Sequence, residues 1–234
     1  MLILTRVFLL LLFFAGFRVD VISQIYSANS YLTDQSGSMI RLNKNLDGVQ
    51  GSPFLLEEWS KGEIFNLEGK VFRVERMRFN IAQNRIEYES GSQIYELVVP
   101  YSKFIINQAN GDGTYIPRTF LLGFPSIDSQ NAKTFYEVLY NGETKFLRHF
   151  KIIVNEYAEP LSVTRIKRFR QITALYVYEH QQNAILKISK GKPELVSLFV
   201  DKADLIQKYM DENHFKKKMN ENDIIKVCTY YDSL

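Results

Sequence analysis

Residues that could do chemistry are sparse in this sequence, and spacing tests each of them. Glu57-Glu58 beside Trp59 places two carboxylates next to an aromatic ring, the components of a sugar-cleaving site. Neighbours on an extended chain point to opposite sides, so the two carboxylates do not converge; one exposed and one structural glutamate is the expectation. The three histidines, His149, His180 and His214, fall on an expected strand, a hairpin tip and a helix end. With no second histidine at ligand spacing, zinc is not expected. Asn110-Gly111-Asp112-Gly113-Thr114 opens like a calcium loop but lacks the remaining carboxylates and the distal glutamate, which leaves a turn. Cys228 is the only thiol and sits among apolar residues at helical spacing, the setting of a small buried hydrophobe rather than of a nucleophile. Gly-x-Ser-x-Gly, His-Glu-x-x-His, P-loop and complete Gly-x-Gly-x-x-Gly patterns are absent. No catalytic residue, cofactor, cofactor-binding residue or metal ligand is assigned, and the chain is read as a non-enzyme.

Charge offers one further candidate. Residues 161–220 carry twelve Lys or Arg and six Asp or Glu, a net of +6, whereas 24–160 come to −2. Arg165, Lys167, Arg168 and Arg170, in RIKRFR, are the densest part. Such a segment is either a solvated connection between strands or a docking face for acidic lipid head groups, polysaccharide or a protein partner. Over 24–234 the net charge is only +2, which supports no nucleic-acid role.

The elements that would position these residues read mostly as strands. In Val71 to Ile81, Met77, Phe79 and Ile81 alternate with Arg76, Arg78 and Asn80, and Ile86 and Tyr88 then alternate with Arg85, Glu87 and Glu89. That is the period of half-buried strands joined by a turn at Gln83-Asn84, with the arginines expected on the wet face and Phe79 and Tyr88 in the core. Further runs at Ile94–Val99, Lys103–Asn107, Thr119–Phe124, Phe135–Tyr140, Lys145–Val154, Ile172–Tyr178 and Ala184–Ile188 follow with short connections. Asn141-Gly142 has the composition of a primed hairpin turn. With no helix between strands, an antiparallel meander is expected, either a curved sheet or a partly open barrel.

After Ile188 the period changes. Pro193 can open one short helix, Asp201 can cap a second carrying Leu205, Ile206, Tyr209 and Met210, and Asn220 can cap a third carrying Ile224, Ile225, Val227, Cys228 and Tyr231. The fold class is therefore α+β. Its expected divisions are a signal peptide over 1–23, an antiparallel β domain over 24–190, and C-terminal helices over 191–234 packed on the sheet.

The address comes from the N-terminus. Arg6 precedes the uncharged run Val7 to Phe17, and Val21-Ile22-Ser23 offers a cleavage site, the pattern of a secretory leader. The run is shorter than the roughly 20 residues that span a bilayer, and no transmembrane helix is expected in the mature chain. A single cysteine and the absence of Asn-x-Ser/Thr acceptors fit a bacterial envelope, periplasmic or at the cell surface.

The segments GSPFLLEEWSKGEIF, RMRFNIAQNRIEYE, KADLIQKYMDENHF and NDIIKVCTYYDSL together resemble a group of exported envelope proteins of Bacteroidota whose function is unassigned. The resemblance spans most of the mature chain; it implies an envelope location and transfers no catalytic residue. Two function classes follow. The first is a non-catalytic exported envelope protein that binds a partner protein, a polysaccharide or an acidic lipid surface through its sheet and basic segment. The alternative is a periplasmic carrier that holds an apolar ligand in a curved-sheet cavity. Aromatic residues spread along strands ordinarily fill a core, which favours the first.

Overall fold

The computed structural model describes residues 26–27, 48–98, 100–158 and 165–234. The expected leader over 1–23 lies outside the described residues. Among the described residues no helix is long and apolar enough to cross a membrane.

Twelve strands are present among them: β1 (Tyr26–Ser27), β2 (Val49–Gln50), β3 (Ser60–Asn66), β4 (Val71–Asn80), β5 (Arg85–Ser90), β6 (Gln93–Glu96), β7 (Tyr101–Ala109), β8 (Tyr115–Leu121), β9 (Tyr136–Asn141), β10 (Lys145–Ala158), β11 (Arg165–Glu179) and β12 (Ala184–Ile188). Three helices follow, α1 (Lys192–Leu198), α2 (Ala203–Glu212) and α3 (Glu221–Asp232), with a 3-10 turn at Val200–Lys202. The class is α+β, as the change of period indicates.

The strands form one sheet in the order β12-β11-β10-β9-β8-β7-β3-β4-β5-β6. Neighbours on that path are antiparallel, while β1 lies parallel to β4 and β2 parallel to β11, so the sheet is mixed. Its end strands β6 and β12 do not pair, and no barrel closes among the described residues. The meander is only partial. Strands β4 to β6 and β7 to β12 each run consecutively, but the chain leaves β6 at the edge and returns to the middle, where β7 pairs with β3. Strand β3, with little alternation in SKGEIFN, gave no periodic signal. Gly62 suits this central place, because a side chain there would run into the Ile105 carbonyl and the Met77 thioether.

Curvature is visible in the core. Phe79 on β4 and Phe120 on β8 are separated by two intervening strands, yet their ring centroids lie 5.6 Å apart. In a flat sheet three strand steps of about 4.8 Å would hold them well apart, so this half of the sheet curls around its own inner face. Phe104 stacks on Phe120 at 4.6 Å, and Phe79 and Phe135 meet the same rings, filling the interior with aromatic side chains.

The helices cover the same face over β9 to β12. Phe146, Val177 and Ile188 from the sheet meet Leu195, Leu198, Phe199, Ile206, Met210, Ile224, Val227, Cys228 and Tyr231 in a second core. Burial raises the Cys228 thiol far above its ordinary range, as befits a structural cysteine. Asn220 caps α3 by accepting from the Asp223 amide at 2.9 Å. Two helix expectations fail. Asp201 does not cap α2; it lies in the 3-10 turn and accepts from the Tyr231 hydroxyl at 3.0 Å, because the chain needs that tight turn between α1 and α2. Leu205 is 46% exposed, one position off the buried stripe that Ile206 and Met210 occupy.

Two hairpin expectations also change. Neither Asn141 nor Gly142 adopts positive φ. The turn is held instead by Asp232 of α3, which accepts from the Thr144 amide and hydroxyl, and Gly142 leaves room for that carboxylate. Positive φ is taken up by Asn84 and Asn183, at the β4–β5 and β11–β12 turns. Arg76 and Arg85 are exposed cross-strand partners of Glu89 and Glu96, as the alternation indicates. Arg78 is not surface: it pairs with buried Glu87 at 2.7 Å and lies over the rings of Phe54 and Trp59. The segment Pro53–Leu55 straps across that face, hydrogen-bonded to Phe79 and Ile81, and turns an outward position into a covered one.

Candidate functional site

The basic segment is a strand. Strands β10 and β11 pair in unbroken register from Lys145↔Tyr178 to Ala158↔Arg165. β9 accompanies β10 only opposite Lys145–Arg148. From Lys151 to Ala158 and from Arg165 to Ile172 the two strands therefore run on as a ribbon beyond the flanking sheet, joined on the β11 side by β2 at Lys167–Arg168.

Register separates the four basic residues of RIKRFR into two pairs. Opposed residues of an antiparallel ladder share a face, so Arg165 and Lys167 lie with Val154, Glu156 and Phe169, whereas Arg168 and Arg170 lie with Lys151, Ile153 and Tyr157. Glu156 sits 3.5 Å from both Arg165 and Lys167, a loose exposed pairing of little energetic weight. Arg168 donates to Gln50 of β2 at 3.0 Å and lies 6.0 Å from the Tyr157 ring. Arg170 and Lys151 are exposed and engage no partner among the described residues. Val154 and Tyr157 stand 44% and 48% exposed on the same ribbon.

Beside the ribbon a hollow opens. Where β9 begins at Tyr136 the preceding chain turns away from β10, and the vacated strand position is a cavity of about 390 Å³. Its walls are His149–Ile152 of β10, the end of β4 with its turn (Phe79, Ile81, Ala82, Asn84), and the loop 129–135. Asn84 pins that loop, donating to the Lys133 carbonyl at 2.8 Å and accepting from the Phe135 amide at 3.2 Å. A second hollow of about 230 Å³ continues over β10 and β11, sharing Ser129, Gln130, His149 and Lys151.

Between the hollows Gln130, Tyr136 and Tyr176 are buried, His149 is half-buried, and the Asp128–Lys187 pair is exposed. Asp128 holds a positive φ at the tip of a tight turn closed by mutual Ile127 and Gln130 backbone bonds. Its carboxylate accepts from the Tyr176 hydroxyl and from Lys187, each at 2.9 Å, and these bonds lower its pKa. Burial pushes the Tyr136 hydroxyl up to about 12 and raises Tyr176 as well. Burial, helped by nearby Lys151, lowers His149 to about 4, so the imidazole is neutral at physiological pH. Gln130 Nε2 lies 3.3 Å from His149 Nδ1, and Gln130 Oε1 and the Tyr136 hydroxyl are buried without a partner among the described residues. A base so weak is mismatched to proton transfer near neutrality.

The other chemistry candidates do not converge. Glu57 and Glu58 are both exposed, not one of each, because the strap that buries Leu55 ends before them. They border a third hollow of about 370 Å³ with Trp59, Arg76 and the Lys61–Glu75 ion pair. Asp112 is used within its turn, accepting from the Thr114 amide and hydroxyl. His149, His180 and His214 stand apart, and among the described residues no three His, Cys, Asp or Glu side chains gather in a metal-binding group. The hollow beside β10 was not legible in the sequence, since its walls come from three segments remote along the chain. Comparison with known proteins finds no family model that matches the chain, and no curated protein or solved structure that matches it.

Proposed function

We propose that this chain is an exported, non-catalytic envelope protein that binds a partner protein or cell-surface component through the β10–β11 ribbon. One observation carries the reading: the ribbon projects past the sheet with Lys151, Arg165, Lys167, Arg168 and Arg170 exposed, against Glu156 as its only acid among the described residues. A projecting, predominantly basic surface with exposed Val154 and Tyr157 suits docking of an acidic partner better than it suits a solvated connection. The envelope location rests on the leader-like N-terminus and the resemblance to exported proteins of Bacteroidota. The carrier alternative has less support, because the packed rings of Phe79, Phe104, Phe120 and Phe135 occupy the space inside the curl that a ligand would need.

Co-sedimentation with isolated bacterial envelopes tests this reading. The wild-type protein is expected to pellet with envelopes, and the R165E/K167E/R168E/R170E variant, verified as folded by its thermal melt, to stay in the supernatant. Equal pelleting of both proteins, or of neither, contradicts a docking role for the ribbon. Envelopes pre-digested with protease separate a protein partner, whose binding is lost, from lipid or polysaccharide, whose binding persists.

A further inference from the structure

We infer that the ribbon captures its partner by strand addition: an extended, acidic segment of another protein pairs with the open edge of β10 from His149 to Ala158. The inference rests on the docking reading above and names the partner's form.

Three observations carry it. First, the edge is vacant among the described residues. β10 is bonded to β11 along its whole length, but on the other side β9 ends opposite Arg148, and no described residue bonds to the backbone of His149–Ala158 on that side. In a strand every second residue turns its N–H and C=O to one edge, so this stretch presents a row of unpaired groups about 33 Å long. Second, charge is the edge's only guard. Proteins blunt such edges with proline, a bulge, a short strand or charged side chains, and this strand has only Lys151 and Glu156. HFKIIVNEYA contains no proline, keeps unbroken register with β11, and carries Ile152, Ile153 and Val154 in succession. Third, the line of β9 continues into the cavity of about 390 Å³ between His149–Ile152 and the loop 129–135. A strand laid there has a seat for one apolar side chain against Phe79, Phe135 and Ile152, with Lys133 and Lys151 at the rim.

Charge selects the occupant. A second copy pairing edge to edge would bring together two ribbons that each carry five cations against one acid among the described residues, so net charge opposes it. An incoming strand that alternates acidic and apolar residues can set its acids beside Lys151, with Arg168 and Arg170 one strand further in on that face, and its apolar residues beside Val154 on the other. Strand addition draws affinity from main-chain bonds and selectivity from alternate side chains, which is what this edge supplies.

The test uses the purified protein and a fluorescein-labelled peptide of about ten residues alternating glutamate and valine, matched in length to the open edge. Fluorescence anisotropy is measured for the parent peptide and for two forms N-methylated at alternate residues, one blocking each peptide edge. Because strand addition uses one edge of the peptide, one methylated form is expected to bind about tenfold or more weakly and the other to bind like the parent. If both forms match the parent, strand addition is overturned while the ribbon stands as a charged docking face. If the peptide fails to bind but vesicles containing phosphatidylglycerol or a sulfated polysaccharide bind, the partner is not an extended peptide and the inference falls alone. If none of the three probes binds, the docking reading falls with it.

Discussion

Replacing Glu137 by Gln perturbs an ionic joint shared by the sheet and the helices. The Glu137 side chain is 7% exposed and accepts from Arg118 at 2.6 and 3.0 Å and from Arg148 at 3.0 Å; Arg148 reaches on to Glu221 of α3 at 2.6 Å. Removing one partner of a buried pair costs about 3–5 kcal/mol, because it strands the other charge in a poorly solvated place. Here Arg148 keeps Glu221, and Arg118 keeps Gln108 at 3.1 Å and the Phe150 and Phe120 rings at 5.2 and 5.8 Å, with no acid in reach. The penalty therefore falls mainly on Arg118, and about 3 kcal/mol is expected, or a fall in melting temperature of about 6–12 °C for a domain of this size. Equilibrium unfolding in urea measures it. The double variant R118M/E137L, which removes the charge along with its partner, should recover most of the loss, since apolar replacement of a buried pair is often neutral. A loss below about 1 kcal/mol in E137Q, or a double variant as unstable as the single, refutes a buried ionic joint.

Three further outcomes follow from particular residues. His149 is depressed to about 4 in the fold against about 6.5 unfolded, so the stability present above pH 6.5 is lost as pH falls through 4, by up to about 3 kcal/mol; H149Q should flatten that part of the pH–stability curve, and an unchanged slope argues against the buried imidazole. Phe79→Ala opens a hole among three rings and should cost about 3–5 kcal/mol in a urea melt, against within about 0.5 for exposed Arg76→Ala; equal losses would mean the faces are reversed. Truncation after Ser189 uncovers Phe146, Val177 and Ile188 and should leave an insoluble or molten remainder; a soluble, cooperatively folded product would make the helices an appendage.

Elements with one wet and one dry face were legible, and elements without that contrast were not. Met77, Phe79, Ile86 and Tyr88 alternate with charges and mark β4 and β5 within a residue or two, and Asn220 marks the start of α3. RIKRFR was read as a possible connection because both faces of the ribbon are largely exposed, so its strand leaves no burial contrast along the chain. Arg78 misled for the opposite reason: its position alternates as an outer residue should, and only the remote strap at Phe54 makes it an inner one. The cavity beside β10 depends on where β9 stops, and an alternation pattern gives strand ends poorly. Its polar groups Gln130 and His149 come together only through the loop 129–135.

Residue-resolved amide hydrogen exchange across β10 tests the docking edge most directly. In the free protein, alternate amides from His149 to Ala158 should exchange at nearly unprotected rates while the intervening ones, bonded to β11, are protected. Adding the alternating glutamate–valine peptide should protect the fast set and leave the slow set as it was. Fast-set amides that are already protected in the free protein, or new protection that appears elsewhere while β10 is unchanged, would contradict the account.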